Sequence, residues 1–188
     1  MLRIRTNEIL ERVILLFLLI WGSASFFLFI SPLPIKIFVV VFTIVSIYLI
    51  LIRLGDLFLL YFINFINFYL FYGLLFTYNL PLYIVMAGLI LVTGISFLLL
   101  GKKIISLESL YLNILFFIIV ISELFLALSY WLINPLTRSL VLVLFIYFLS
   151  GFWISIADQK FDKVVFRNYL VVTVATLILL LFTVAWGR

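Results

Sequence analysis

The sequence contains neither cysteine nor histidine. The missing thiols exclude disulfides, iron–sulfur clusters and thiolate zinc sites, and the missing imidazoles exclude histidine acid–base chemistry and histidine-ligated haem. Most enzyme mechanisms depend on one of these groups. We therefore expect a protein that has no catalytic residues, no cofactor and no metal, and that is not an enzyme.

Charge is also scarce. Charged residues make up 10% of the chain and hydrophobic residues 69%, whereas soluble domains average about 25% and about 45–50%. So few polar groups do not cover a surface that faces water. The sequence therefore predicts an integral membrane protein whose solvent is lipid.

Seven hydrophobic runs occupy most of the chain. A helix of about 20 residues rises about 30 Å, enough to cross the hydrocarbon core of a bilayer. Unbroken apolar stretches such as 140–149 lack the alternation of a transmembrane barrel. The sequence therefore predicts an all-α, polytopic transmembrane helix bundle in a single domain (1–188), with seven spans or, as the alternative, six. The expected spans are 12–30, 35–53, 56–76, 81–100, 109–134, 135–156 and 165–186.

The basic residues indicate the orientation, because short loops that carry Lys and Arg stay on the cytoplasmic side. With the N-terminus inside, nine of the 12 basic residues are cytoplasmic, and the opposite orientation inverts this bias. We therefore expect the N-terminus inside and the C-terminus outside. The nine residues are Arg3, Arg5, Arg12, Arg53, Lys102, Lys103, Lys160, Lys163 and Arg167, and the three outside are Lys36, Arg138 and Arg188.

Prolines and aspartates mark where helices begin. Pro34, Pro81 and Pro135 lie at the starts of the second, fourth and sixth runs, where the fixed φ and missing N–H of proline suit a first helical turn. Asp56 and Asp162 precede the third and seventh runs, and a carboxylate there complements the helix dipole. We expect helices to start at or next to these five residues.

Glu123 is the only acidic residue predicted to lie deep within a span. A carboxylate in hydrocarbon is costly, and no Lys or Arg lies at the same predicted depth to neutralise it. We therefore expect Glu123 to face the protein interior in its neutral form, hydrogen bonded to amides and hydroxyls.

Asn64 and Asn67 are the expected partners of Glu123. They are three residues apart, so they share one face of the third span at about the same depth. Ser23 and Ser25, in a run of small residues that favours close helix packing, complete the predicted intramembrane polar cluster. This cluster either ties helices together or forms a site for an ion or a proton.

Five basic residues predict a cytoplasmic surface: Lys102, Lys103, Lys160, Lys163 and Arg167. Such a surface attracts anionic lipid headgroups or a soluble partner. The net charge of +5 is explained by topology and anionic inner-leaflet lipid, and we expect no nucleic-acid partner.

The last third of the chain resembles uncharacterised multi-spanning proteins of small-genome candidate-phylum bacteria. The resemblance rests on Glu123-Leu124-Phe125, on Leu128-Ser129-Tyr130-Trp131 and on the terminal Ala185-Trp186-Gly187-Arg188. It implies no activity, and it favours the cytoplasmic membrane of a prokaryote.

Two functions are compatible with these features. The first is a non-catalytic scaffold or subunit of a membrane assembly, which forms a homo-oligomer or binds a membrane protein partner. It is favoured by the short loops and by the aromatic residues that encircle the third span and are expected to touch lipid or another protein. The alternative is a small channel or proton-linked transporter that uses the cluster around Glu123.

Reporter fusions test the predicted orientation. Fusions after Lys103 and Lys163 are expected to report a cytoplasmic location, because these residues belong to the basic inner loops. A fusion after Arg188 is expected to report the outside. A cytoplasmic signal from the Arg188 fusion contradicts an odd number of spans with the N-terminus inside.

Overall fold

The computed structural model describes residues 2–29, 33–100, 110–131, 133–156 and 162–183. This part of the chain forms seven α-helices and no strand, and all seven helices are long and apolar enough to cross a membrane. The predicted all-α class and the count of seven candidate spans are confirmed. The helices are α1 (Leu2–Phe29), α2 (Leu33–Ile52), α3 (Asp56–Phe76), α4 (Leu82–Leu100), α5 (Leu110–Ser129), α6 (Pro135–Ile156) and α7 (Lys163–Thr183).

Helices begin where proline and aspartate predict. Pro34 lies in the first turn of α2, Pro81 immediately precedes α4, and α6 starts at Pro135. Helix α3 starts at Asp56. The Asp162 carboxylate accepts hydrogen bonds from the backbone N–H groups of Val164 at 2.9 Å and of Val165 at 3.1 Å, so it caps α7.

Two helix ends differ from their predicted positions. Helix α1 begins at Leu2, ten residues before the predicted span, because no proline or glycine interrupts the helix there. Its added turns carry Glu8, which forms an ion pair with Arg53 at the end of α2, and this hydrogen bond raises the pKa of Arg53. Helix α5 ends at Ser129, five residues early, because the chain turns at Tyr130 and Trp131.

Helix α3 lies at the centre of the bundle. It packs against α1, α4 and α6, while α2 packs on α1, α5 bridges α4 and α6, and α7 packs on α6. Helix α3 has the lowest mean hydropathy of the seven spans, 1.7, and is 72% buried, whereas α2 has the highest, 2.8, and is 17% buried. The least apolar helix is inside because neighbouring helices, unlike lipid, satisfy its polar groups.

The aromatic residues of α3 are interior, which corrects the prediction that they touch lipid or another protein. The ring of Tyr69 lies 4.3 Å from that of Phe26 on α1, and the ring of Tyr72 stacks 4.2 Å from that of Phe125 on α5. Because α1, α4 and α6 surround α3, five of its rings are buried: Phe62, Phe68, Tyr69, Phe71 and Tyr72.

Gly151 holds α7 close to α6. A Cβ at Gly151 would lie 2.1 Å from Cγ of Tyr169, an atom at the root of a stiff aromatic side chain. Gly151→Ala is therefore expected to push α7 away and to destabilise the protein by about 1–3 kcal/mol. Unfolding in mild detergent, monitored by circular dichroism, measures this loss.

Gly94→Ala is the matched control for Gly151→Ala. The nearest atom to a Cβ at Gly94 is the terminal Cδ1 of Ile118, at 3.1 Å, and this flexible methyl group moves at little cost. Because alanine also favours a helix over glycine by about 1 kcal/mol, this variant is expected to be as stable as the parent. Equal stability losses in the two variants would contradict the assignment of Gly151 as the close-approach position.

Candidate functional site: the buried asparagines and the exposed glutamate

Asn64 joins α3 to α4. Its Nδ2 donates to the Leu60 carbonyl at 2.8 Å and to Oγ of Ser96 at 2.9 Å. Ser96 in turn donates to the Thr93 carbonyl at 3.0 Å, and its Oγ lies 3.3 Å from Oδ1 of Asn64. Asn64 and Ser96 are both 0% exposed, so this pair is a polar link inside the bundle with no contact to solvent.

Asn67 joins α3 to α1. Its Nδ2 donates to the Ile63 carbonyl at 2.8 Å and to the Leu18 carbonyl on α1 at 3.2 Å. Gly22 permits this approach, since a Cβ there would lie 2.9 Å from Nδ2 of Asn67. The two asparagines therefore connect α3 to two different neighbours, α4 through Asn64 and α1 through Asn67.

Ser23 and Ser25 do not join the asparagines. The Ser23 hydroxyl lies 2.8 Å from that of Thr43 on α2, and Thr43 donates its single proton to the Val39 carbonyl at 2.7 Å. Ser23 is therefore the donor to Thr43. Ser25 donates to the Trp21 carbonyl of its own helix at 2.8 Å. The hydroxyl groups of these serines thus bond to α2 and within α1. The prediction that the serines belong to the asparagine cluster is wrong.

Glu123 is exposed on the outer surface of α5, which corrects the prediction that it faces the interior with Asn64 and Asn67. The buried side of α5 is defined by Ile121 and Phe125, both 0% exposed, and Glu123 lies between them on the opposite side. The hydrogen bonds of the asparagines go to other partners. The central polar cluster thus contains no carboxyl group.

The predicted basic surface is described only in part. Lys163 and Arg167 are exposed in the first turns of α7, four residues apart and therefore on one helical face. Lys102, Lys103 and Lys160 lie outside the residues that the structure describes. The two described members fit a surface open to lipid headgroups.

Arg138 is a buried cation that the sequence analysis counted only as one of three basic residues on the outer side. It lies in the first turn of α6 and is only 6% exposed. Its Nη2 donates to the Trp131 carbonyl, and its guanidinium carbon lies 4.2 Å from the Phe76 ring centroid and 5.5 Å from that of Tyr72. The sequence could have indicated this position, because Asn134-Pro135 marks the start of a helix and Arg138 follows within its first turn. The Asn134 side chain accepts a hydrogen bond from the backbone N–H of Thr137 at 2.8 Å and so caps α6.

Two cavities lie beside α6, and both are lined almost wholly by apolar side chains. One, of about 250 Å³, lies between α5, α6 and α7 and includes Trp131 and Thr137. The other, of about 280 Å³, lies between α3, α6 and α7 and includes Tyr61 and Tyr147. Neither cavity is lined by Glu123, Asn64 or Asn67. Within the described ranges no group of three or more acidic side chains lies together to hold a metal ion.

No family model, no curated protein sequence and no solved structure matches this chain.

A double-mutant cycle measures the link between α3 and α4. Asn64→Ala and Ser96→Ala are each expected to destabilise the protein, with a coupling energy of about 0.6 kcal/mol, the average for hydrogen bonds between membrane helices. Asn67→Ala combined with Ser96→Ala is the control, because Asn67 does not contact Ser96, and the two effects are expected to add. Additive effects in the Asn64 cycle would mean that the Asn64–Ser96 bond does not stabilise the folded protein.

Proposed function

We propose that this protein is a non-catalytic subunit of a membrane assembly, in the cytoplasmic membrane of a prokaryote, and that it associates with a second copy of itself through α5. The observation that carries the proposal is the exposed carboxyl group of Glu123. Glu123 lies six residues before the end of α5, about 9 Å along the helix axis, so it is too deep to be solvated by headgroups.

A charged side chain at the centre of a membrane helix is unfavourable by about 2.5–3.5 kcal/mol on insertion scales, and a glutamate that faces lipid off the centre carries part of this free energy. Contact with another protein removes that cost when the partner supplies a hydrogen bond. The same face of α5 carries three large apolar side chains that are 48–73% exposed: Leu112, Phe116 and Ile119. With Glu123 they follow one stripe at spacings of four, three and four residues, and we name this stripe the α5 face.

A second copy of the chain fits the α5 face. In a twofold interface each residue near the axis meets its own counterpart. Two carboxyl groups that meet at the axis satisfy each other when they carry protons, because each then has one donor and one acceptor. The rest of the face is apolar, so it presents no further charge that demands a partner of opposite sign.

The alternative function, a channel or proton-linked transporter, has less support. Such a protein needs a polar route to Glu123, whereas the two cavities beside α6 are apolar and Glu123 lines neither. Asn64 and Asn67 are fully buried between helices. Their bonds support a packing role.

Glu123→Leu tests the proposal. Folding of the single chain is expected to be unaffected or improved, because leucine suits a lipid-facing position better than glutamate. Self-association in liposomes is expected to weaken by about 5–30-fold, which corresponds to the loss of about 1–2 kcal/mol from one hydrogen-bonded contact between helices. Energy transfer between labelled copies, measured over a range of protein-to-lipid ratios, reports both the affinity and the stoichiometry.

Two controls accompany this variant. Glu123→Gln keeps a donor and an acceptor and is expected to retain association. Val174→Leu alters a residue that is 48% exposed on α7 and is expected to leave association unchanged. A wild-type chain that stays monomeric at every ratio, with no co-purifying membrane protein, would refute the proposal.

A further inference from the structure

Among the residues that the structure describes, the guanidinium group of Arg138 has no counter-ion. Of its nitrogen atoms, Nη2 binds the Trp131 carbonyl, while Nε and Nη1 are buried and have no hydrogen-bond partner among the described residues. A buried cation with unfilled donors is unfavourable, and stacking against Tyr72 and Phe76 compensates only part of the loss. The site is therefore chemically incomplete without an anion.

The described acidic residues do not supply that anion. Asp56 starts α3, 20 residues and about 30 Å before Phe76. Glu8 pairs with Arg53, and Glu11 also lies near Arg53. Asp162 caps α7, and Glu123 is exposed on α5. Since none of these described carboxylates pairs with Arg138, we expect the partner of Arg138 to be a separate molecule.

An apolar groove begins at the residue before Arg138, which does not itself line the groove. Its lining includes Trp131, whose carbonyl accepts the Arg138 hydrogen bond, and Thr137, the preceding residue. From Thr137 it follows α6 to Phe145, about 12 Å along the helix axis. The opposite wall consists of leucines of α7: Leu177, Leu180 and Leu181. Because α5, α6 and α7 are all candidate spans, we expect lipid to fill this groove in a bilayer.

We propose that the chain binds an anionic phospholipid, with its phosphate at Arg138 and an acyl chain in the groove between α5, α6 and α7. A molecule with a negative head and an apolar tail matches a cation at the end of an apolar groove. Arg138 lies in the first turn of α6, at the end of the candidate span Pro135–Ser155, which is the depth of phospholipid headgroups. Arginine also matches phosphate well, because its planar fork of donors binds several phosphate oxygens.

Native mass spectrometry of the full chain in a non-ionic detergent tests the proposal, with phosphatidylglycerol and phosphatidylcholine as probes. We expect one phosphatidylglycerol molecule to bind per chain, about tenfold more tightly than phosphatidylcholine. Arg138→Met is expected to abolish this preference. Arg167→Gln, which removes an exposed cation at the start of α7, is expected to retain it. Retention of the preference in Arg138→Met would overturn the proposal.

A second variant tests the groove and remains informative if Arg138→Met does not fold. Val141 lines the groove, so Val141→Phe is expected to weaken binding of both phospholipids by about tenfold and to leave the headgroup preference intact. If Val141→Phe bound both phospholipids as tightly as the parent does, the placement of the acyl chain in the groove would be overturned. Inorganic phosphate is the remaining probe, and it would overturn the choice of a phospholipid if it protected the protein from thermal unfolding as well as phosphatidylglycerol does. Glu123 does not line this groove, so the result does not depend on the α5 face.

Discussion

In lipid, polar groups are satisfied only by other parts of the protein, and the arrangement of this bundle follows from that constraint. Helix α3 carries the two buried asparagines and has the lowest hydropathy of the seven spans. Placed in the centre, it shares its polar side chains with α1 through Asn67 and with α4 through Asn64. The most apolar helix, α2, lies at the edge, where lipid solvates it as well as protein does. The least and the most apolar helices thus lie inside and outside the bundle, whereas α7 is peripheral with an intermediate mean hydropathy of 2.1.

The number of helices and the places where most of them begin could be predicted because they depend on features that are visible in the sequence. Run length identifies a span, and proline or aspartate marks a first turn, as Pro135 and Asp162 do here. The rotation of each helix about its axis could not be predicted in the same way. On a soluble helix the polar residues show which side faces water. On these helices both sides are apolar, so the pattern in α5 does not distinguish lipid from protein.

Glu123 and Arg138 are the two residues whose positions this ambiguity concealed. The polarity of Glu123 favoured an interior position, yet the buried side of α5 passes through Ile121 and Phe125. Arg138 was counted only as an outer basic residue, yet it lies in the first turn of α6, which Asn134 caps, and its side chain packs against Phe76 and Tyr72. In both cases the placement depends on contacts between helices distant in sequence. The burial of the asparagines was easier to predict, because two amides on one face of a span rarely find hydrogen-bond partners except at an interface between helices.

The peripheral position of α7 has a consequence for the order of folding. This helix is 6% buried and packs on α6 through the contact of Tyr169 with Gly151. Helices α1 to α6 therefore make their mutual contacts without it, and α7 is suited to dock last on a bundle that is already formed. By the same reasoning α7 is able to detach without breaking the contacts among α1 to α6. Because its leucines form one wall of the groove beside Arg138, each such detachment opens that groove sideways to the bilayer.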